Sequence, residues 1–230
     1  WPIEKVKNRN AEFQPEGVEW VQEMVAAFDP ASNSLTTTGG RKIGYDFLVV
    51  ATGLQLGYDQ IEGMDVKAIG SNGLGSVYAS PEAALATWQA MDAFRAKGGQ
   101  AVMTLPAGPL KCAGAPLKMT FMVADRLRQA GTLDKSKVDF FSGLPDDTVF
   151  GVKPVNDNVL ARWKALGIQT HYLRKLVAID PGARKAFFTS PEGERQEVGY
   201  DFLHVVPPMR APDAVKGSDL AAKDGPMAAG

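Results

Sequence analysis

The sequence holds one cysteine and two histidines among 230 residues. A single cysteine closes no internal disulfide, which excludes a stapled secreted scaffold. His171 and His204 are far apart with no cysteine pair beside them, so no structural zinc spacing exists and no metal site is expected. Charge of one sign is also lacking: 25 Lys and Arg against 26 Asp and Glu leave a net charge of −1. Phosphate recognition needs concentrated positive charge, so nucleic acid is not an expected partner. Nor does the chain carry a basic carpet for anionic lipid. Long apolar runs are missing too; stretches such as Phe47–Ala51 fall far short of the roughly 18 residues of a spanning helix. The opening Trp1-Pro2-Ile3 has neither Met nor a charged-then-apolar signal layout, and reads as a chain entered in the middle.

What is present supports a packed fold rich in turns. Apolar residues make up 45% of the chain, with 24 glycines and 15 prolines. The length lies between one ordinary domain and two, and an internal repeat accounts for it. Gly17 to Asp29-Pro30 resembles Gly167 to Asp180-Pro181, and Ile43-Gly-Tyr-Asp-Phe-Leu48 resembles Val198-Gly-Tyr-Asp-Phe-Leu203. Each copy predicts a short strand, an Asp-Pro turn, a polar strand pair bounded by a Gly-rich turn, and an apolar strand. This is a three-stranded antiparallel meander running into a buried strand, Phe47–Ala51 in one copy and Phe202 through Val206 in the other.

Between the copies strand and helix alternate. Ser80 caps a helix with Pro81 at its first position, Leu85, Trp88, Met91 and Phe94 mark its inner face, and Gly98-Gly99 stops it. Gln100–Leu105 is a strand, Pro116–Gln129 a helix with Met119, Met122, Val123 and Leu127 inward, and Val138–Phe141 a strand. Asn156–Leu166 is a helix with Leu160, Trp163 and Leu166 inward, and a strand follows from Ile168. Such a βαβαβ series predicts an α/β fold with a parallel, doubly wound, Rossmann-like sheet. The expected division is residues 1–63 as the latter part of one nucleotide-binding domain whose opening βαβ is missing. Residues 64–210 are then a whole second domain, and residues 211–230 a tail leading back to the first.

Ala51-Thr52-Gly53 ends an apolar strand in a small-residue turn, where backbone can approach a ligand closely at the carboxyl edge of a sheet. The loop Pro106-Ala-Gly-Pro-Leu-Lys111-Cys112-Ala-Gly-Ala-Pro-Leu-Lys118 lies between strand and helix. A nucleotide-binding domain would show Gly-x-Gly-x-x-Gly there; Gly108 and Gly114 lack that spacing, which disfavours a nicotinamide site. The loop holds the chain's only cysteine, beside Lys111 and just ahead of a helix N-terminus. Both neighbours favour thiolate over thiol, so Cys112 reads as a redox or nucleophilic thiol rather than a core residue. His171 reads as an edge histidine and His204 as a satisfied, buried or half-buried imidazole.

The Ala-Thr-Gly turn after a meander resembles the second flavin-contact motif of the two-dinucleotide-binding-domain flavoproteins, the pyridine nucleotide-disulfide oxidoreductase superfamily. Lys111-Cys-Ala-Gly-Ala-Pro-x-Lys118, Phe150-Gly-Val-Lys153, His204-Val-Val-Pro-Pro-Met209-x-x-Pro212-Asp213 and Ala51-Thr-Gly-x-Gln55-Leu56 together resemble the sulfide:quinone oxidoreductase family, especially its mitochondrial branch. That resemblance implies an FAD enzyme that oxidises sulfide through a cysteine pair and passes electrons to quinone. It further implies peripheral membrane association through regions outside this chain, expected at a bacterial inner membrane, and a possible homo-oligomer. Cys112 matches the first redox cysteine, the second being expected beyond Gly230. By the same resemblance Val25 touches the FAD adenine through its backbone, Ala51, Thr52 and Gly53 form the flavin-side turn, and Lys118 lies near the flavin. Lys111 is the candidate for stabilising the thiolate, and Pro207-Pro208-Met209 would line a quinone approach. These 230 residues alone are expected to hold little or no FAD and to be inactive. The alternatives are a type II NADH:quinone oxidoreductase-like flavoprotein and a truncated, non-catalytic binding domain.

Overall fold

The computed structural model describes residues 2–108 and 110–222. The chain divides into two compact units, one made of residues up to Gln55 and from Arg210 on, the other of Leu56–Met209. Of the tail expected over 211–230, residues 223–230 lie outside the described residues.

The smaller unit carries an antiparallel sheet, β1 (Val25–Asp29), β2 (Ser34–Thr37) and β3 (Lys42–Gly44), in that order. Its first turn is closed by Asp29, whose carboxylate accepts the Ser32 N–H at 3.3 Å, and Asn33 adopts a left-handed φ of 48°. The Tyr45 N–H then donates to the Asn33 carbonyl at 3.0 Å. The larger unit repeats this in detail: Asp180 accepts the Ala183 N–H at 2.9 Å, Arg184 has φ 54°, and the Tyr200 N–H donates to the Arg184 carbonyl at 2.9 Å. An Asx turn followed by one left-handed residue sets the hairpin reversal in both copies, and the duplication seen in sequence is a duplication of backbone.

The copies part at the Tyr-Asp-Phe-Leu segment. A strand was expected over Phe47–Ala51, but no strand forms there, and Phe47 and Val49 are 94% and 88% exposed. A strand persists only against neighbours, and among the described residues none pairs with this stretch. The corresponding β12 (Phe202–His204) is fully buried because parallel strands flank it on both sides.

After β4 (Gln55–Leu56), the larger unit runs β5 (Leu74–Gly75), α1 (Pro81–Lys97), β6 (Gln100–Leu105), α2 (Gly114–Gln129), β7 (Lys137–Ser142), α3 (Lys153–Ala165), β8 (Gln169–His171) and the meander β9 (Lys175–Asp180), β10 (Lys185–Thr189), β11 (Arg195–Gly199) before β12. β13 (Met209–Arg210) and α4 (Asp213–Lys216) follow. The parallel sheet has the order β5-β12-β6-β7-β8. Successive side chains alternate between its faces. Ala101, Met103, Phe140 and Phe202 pack toward the helices, while Val102, Phe141 and Leu203 pack toward the meander, where Phe141 stacks on Phe188 at 4.1 Å.

Ser80 caps α1 by accepting the Ala83 N–H at 3.1 Å, and Gly98 ends it. Its buried face is Ala83, Thr87, Ala90, Met91 and Phe94. Leu85 and Trp88, expected inward, are exposed: the small residues let the helix lie close to the sheet and turn the larger ones outward, where Trp88 lies under the Arg126 guanidinium at 5.0 Å. Met122 is likewise exposed, against Met119, Val123 and Leu127 inside. Trp163 is buried as expected, with Leu160 and Leu166 half-buried beside it.

Candidate functional site

In the larger unit the site is built at the carboxyl edge of the parallel sheet. β6 ends at Leu105, and the following loop reaches α2 through Lys111, Cys112 and Ala113, all exposed. Gly143, after β7, lets this loop pass close: a Cβ there would lie 2.4 Å from the Ala107 nitrogen. The Lys111 N–H donates to Met209 Sδ at 3.3 Å, which ties the loop to the segment after β12. Cys112 takes a left-handed φ of 60°, costly for a residue with a Cβ, and its carbonyl accepts the Ala115 N–H at 2.9 Å at the entry to α2. Cys112 thus lies two residues ahead of α2, at the positive end of that helix's dipole. Lys118, one turn inside α2, is exposed and borders a separate groove of about 470 Å³ with Phe121, Phe150 and Val155; Cys112 is not in that groove's lining.

The same unit buries a set of polar side chains, of which Tyr78 interacts electrostatically with Cys112. Tyr58 Oη and Ser76 Oγ are 2.5 Å apart, and the Ser76 N–H donates to Thr87 Oγ1 at 2.9 Å. His204 is 1% exposed, and neither ring nitrogen has a protein partner. It was expected to be buried and satisfied; the burial is as expected, while no protein group bonds its ring, which is tilted against the Tyr78 ring with centroids 6.3 Å apart. Burial pushes its imidazolium down to about 4, so the ring is neutral. Tyr78 Oη is also buried without a partner, and burial, followed by the charges of Cys112 and Tyr58, pushes its phenol upward. Sequence reasoning missed Tyr78; the signal was a phenol three residues past the end of a parallel strand. His171 stands apart from this set, its Nε2 2.9 Å from Asp139 Oδ1.

The smaller unit gathers a second set. Val25 and Thr52 line one cleft of about 640 Å³ together with Met24, Leu54, Gln55 and Asp213. Gln55 and Asp213 hold its wall with two bonds, Gln55 Nε2 to Asp213 Oδ2 at 3.1 Å and the Asp213 N–H to Gln55 Oε1 at 3.1 Å. Ala51 and Gly53 are exposed beside it, and Gly53 has φ 71° with open space where a Cβ would stand. Cys112, Lys111 and Lys118 therefore belong to the larger unit, and Val25, Ala51, Thr52 and Gly53 to the smaller. Among the described residues no cluster of potential metal ligands occurs, and no helix is long and apolar enough to cross a membrane.

No protein-family model matches the chain. Among curated proteins it is 35% identical over 209 residues to the mitochondrial sulfide:quinone oxidoreductase of Mus musculus, covering 90% of this chain and 45% of that one. It is 35% identical over 210 residues to the mitochondrial sulfide:quinone oxidoreductase of Dictyostelium discoideum, covering 91% and 45%. The solved sulfide:quinone oxidoreductase of Aquifex aeolicus superposes with a TM-score of 0.69 at 26% identity, over 86% of this chain and 44% of that one. A pyridine nucleotide-disulfide family oxidoreductase from Enterococcus faecalis V583 shares the fold at 17% identity with a TM-score of 0.50, over 84% of this chain and 39% of that one. The fold is accordingly that of the pyridine nucleotide-disulfide oxidoreductases. The chain spans about 45% of the length of the curated relatives it matches, and over that stretch it is similar in sequence to the sulfide:quinone oxidoreductases.

Proposed function

We propose that these residues form part of a flavin-dependent sulfide:quinone oxidoreductase in which Cys112 is one of two redox cysteines. The observation that carries this reading is Cys112 itself: exposed, in a left-handed conformation, beside Lys111 and a helix N-terminus, at the sheet edge where α/β folds bind ligands. It stands within a stretch matched at 35% identity to sulfide:quinone oxidoreductases. The second cysteine is contributed outside these 230 residues.

The cleft of the smaller unit fits a cofactor of FAD's kind: its volume, about 640 Å³, lies in the range of cofactor sites, and its lining is mainly apolar with a few fixed polar groups. Val25 would hold the adenine side through its backbone, and Ala51, Thr52 and Gly53 the flavin side. Bound there, FAD supplies a two-electron acceptor between sulfide and quinone. The chain's own task is at sulfur. Hydrosulfide attacks the disulfide between Cys112 and its partner, a new sulfur–sulfur bond forms as a persulfide, and the other cysteine leaves as a thiolate. The exposed loop gives the attacking anion access, and Lys111 with the α2 dipole stabilises negative charge on Cys112. Lys118, on the neighbouring groove, adds positive charge on the same helix. Quinone approach by Pro207-Pro208-Met209, peripheral membrane association and assembly into a homo-oligomer complete the reading. A nicotinamide-dependent alternative is less favoured, because Gly108 and Gly114 do not make the dinucleotide spacing.

The test is a chimera in which residues 1–230 replace the matched stretch of the mouse enzyme, assayed for sulfide-dependent reduction of a quinone analogue. Flavin absorbance reports folding. Activity in the chimera and its loss in Cys112→Ser, with flavin retained, is the expected outcome; a yellow Cys112→Ser chimera that reduces quinone at the parent rate would overturn the assignment.

A further inference from the structure

We propose that Met209 is a positioning residue for Cys112: its thioether holds the loop after β6 in the turn that presents the cysteine just ahead of α2. Among the described residues, the bond from the Lys111 N–H to Met209 Sδ, at 3.3 Å, is the only hydrogen bond that joins this loop to another part of the chain. Leu110, half-buried against the core on the helix side, is the loop's apolar anchor. Cys112 follows Lys111 directly, with a left-handed φ of 60°, and its carbonyl accepts the Ala115 N–H at 2.9 Å. The cysteine is thus clamped between two hydrogen bonds, one on the residue before it and one on its own carbonyl. A residue with a Cβ stays in the left-handed region only while its surroundings enforce it. Cutting the tie at Lys111 therefore frees Cys112 to leave the turn.

The holding end is fixed. Met209 is 5% exposed, and the segment leading to it is pinned at two points. The Val206 N–H donates to Thr104 Oγ1 at 2.9 Å, and the Pro208 carbonyl accepts the Gly57 N–H at 2.8 Å. Methionine suits this contact because its unbranched chain fills apolar space while its sulfur accepts weakly from an N–H. Leucine would fill the same space and accept nothing. The inference deepens the function proposed above by naming what presents the thiol, and it rests on that reading only for the reaction the thiol performs.

Alkylation by iodoacetamide tests the role of Met209, because with one cysteine in the chain every adduct forms at Cys112 as a sulfur–carbon bond closes and iodide leaves. A cysteine that has left the turn also leaves the positive end of α2, which favours the attacking anion. Expected is therefore a rate about threefold to tenfold lower in Met209→Leu, the range set by the loss of one hydrogen bond, at an unchanged circular dichroism spectrum. Met209→Gln returns an acceptor of similar reach and should restore most of the rate. Exchange of the Lys111 amide hydrogen should be slow in the unmodified chain and in Met209→Gln, and faster in Met209→Leu. An unchanged rate in Met209→Leu, equal losses in both variants, or an unprotected Lys111 amide in the unmodified chain would overturn the proposal. If neither variant folds, Lys111 exchange in the unmodified chain decides alone. The Cys112→Ser chimera answers separately whether this thiol is a redox cysteine, so either reading can fail while the other stands.

Discussion

Thr104 Oγ1 donates to the His204 carbonyl at 3.0 Å and accepts the Val206 N–H at 2.9 Å. The parallel ladder between β12 and β6 ends at His204 and Met103, yet Val205 and Val206 remain buried. One hydroxyl thus takes over where strand pairing stops, and it holds the segment that leads to Pro207 and Met209 in place. Thr104→Val keeps the shape but leaves a buried donor and a buried acceptor unpaired, so it is expected to destabilise the larger unit by about 2–3 kcal/mol. Thr104→Ser should recover most of that loss. Urea unfolding of the two variants checks both; equal midpoints for Thr104→Val and the unmodified chain would remove the bridge from the argument.

The neutral His204 makes stability depend on acid. Its folded value is about 4 against the ordinary 6.5, so between these the unfolded chain binds a proton that the folded chain does not. Stability from this group is therefore complete above pH 6.5 and is lost as pH falls toward 4, a loss on the order of 3 kcal/mol. Replacing His204 by Leu removes the titration. The difference in unfolding free energy between His204→Leu and the unmodified chain should grow in favour of the variant across that window and be constant above it.

A second buried ionisable group also loses its contribution in acid, but through its charged rather than its neutral form. Asp139 is 2% exposed at the side chain and accepts from His171 Nε2 at 2.9 Å, Lys137 Nζ at 2.9 Å and Gln100 Nε2 at 2.7 Å. Burial pushes its carboxyl upward, but the three donors together outweigh it and hold the value below the usual carboxylate range. Its folded value being depressed, it contributes stability above the ordinary 3.8 that is lost as pH falls through the folded value. Asp139→Asn should cost about 2–3 kcal/mol at neutral pH and little in strong acid. Unfolding curves at the two pH values measure this; an equal cost at both would mean that shape, not charge, links β6, β7 and β8.

Much of this architecture was legible in the chain. The Ser80-Pro81 start, the Gly98 stop, the strand at Gln100–Leu105 and both Asp-Pro turns follow from local chemistry that needs no tertiary partner. The Cys112 loop was legible for the same reason, as a glycine-rich, Lys-flanked joint between strand and helix. What sequence could not settle depends on neighbours. The inner face of α1 keeps Met91 and Phe94 but takes Ala83, Thr87 and Ala90 in place of Leu85 and Trp88, because the distance to the sheet decides which side chains fit. His204 alternates with apolar residues and reads as satisfied, but satisfaction depends on what faces the ring. The cleft holding Val25 and Thr52 brings in Asp213 from far along the chain, a closure no local pattern announces.

The duplicated motif offers an internal control on burial. Phe47 and Phe202 occupy the same place in Tyr-Asp-Phe-Leu; Phe47 is 94% exposed, whereas Phe202 is 0% exposed and stacks on Phe94 with centroids 5.7 Å apart. Backbone propensity, residue type and both sequence neighbours are shared, so a difference between equivalent substitutions isolates packing. Phe202→Ala removes a ring between β12 and α1 and should cost about 3–5 kcal/mol. Phe47→Ala in these 230 residues should change stability by less than about 0.5 kcal/mol, as surface substitutions do, and lower any tendency to self-associate by shortening an exposed apolar run. Thermal unfolding of the two variants, with light scattering for association, reads both effects. A comparable loss from Phe47→Ala would mean that the first copy of the motif is held by packing after all, and the equivalence of the copies would then extend beyond their turns to their last strands.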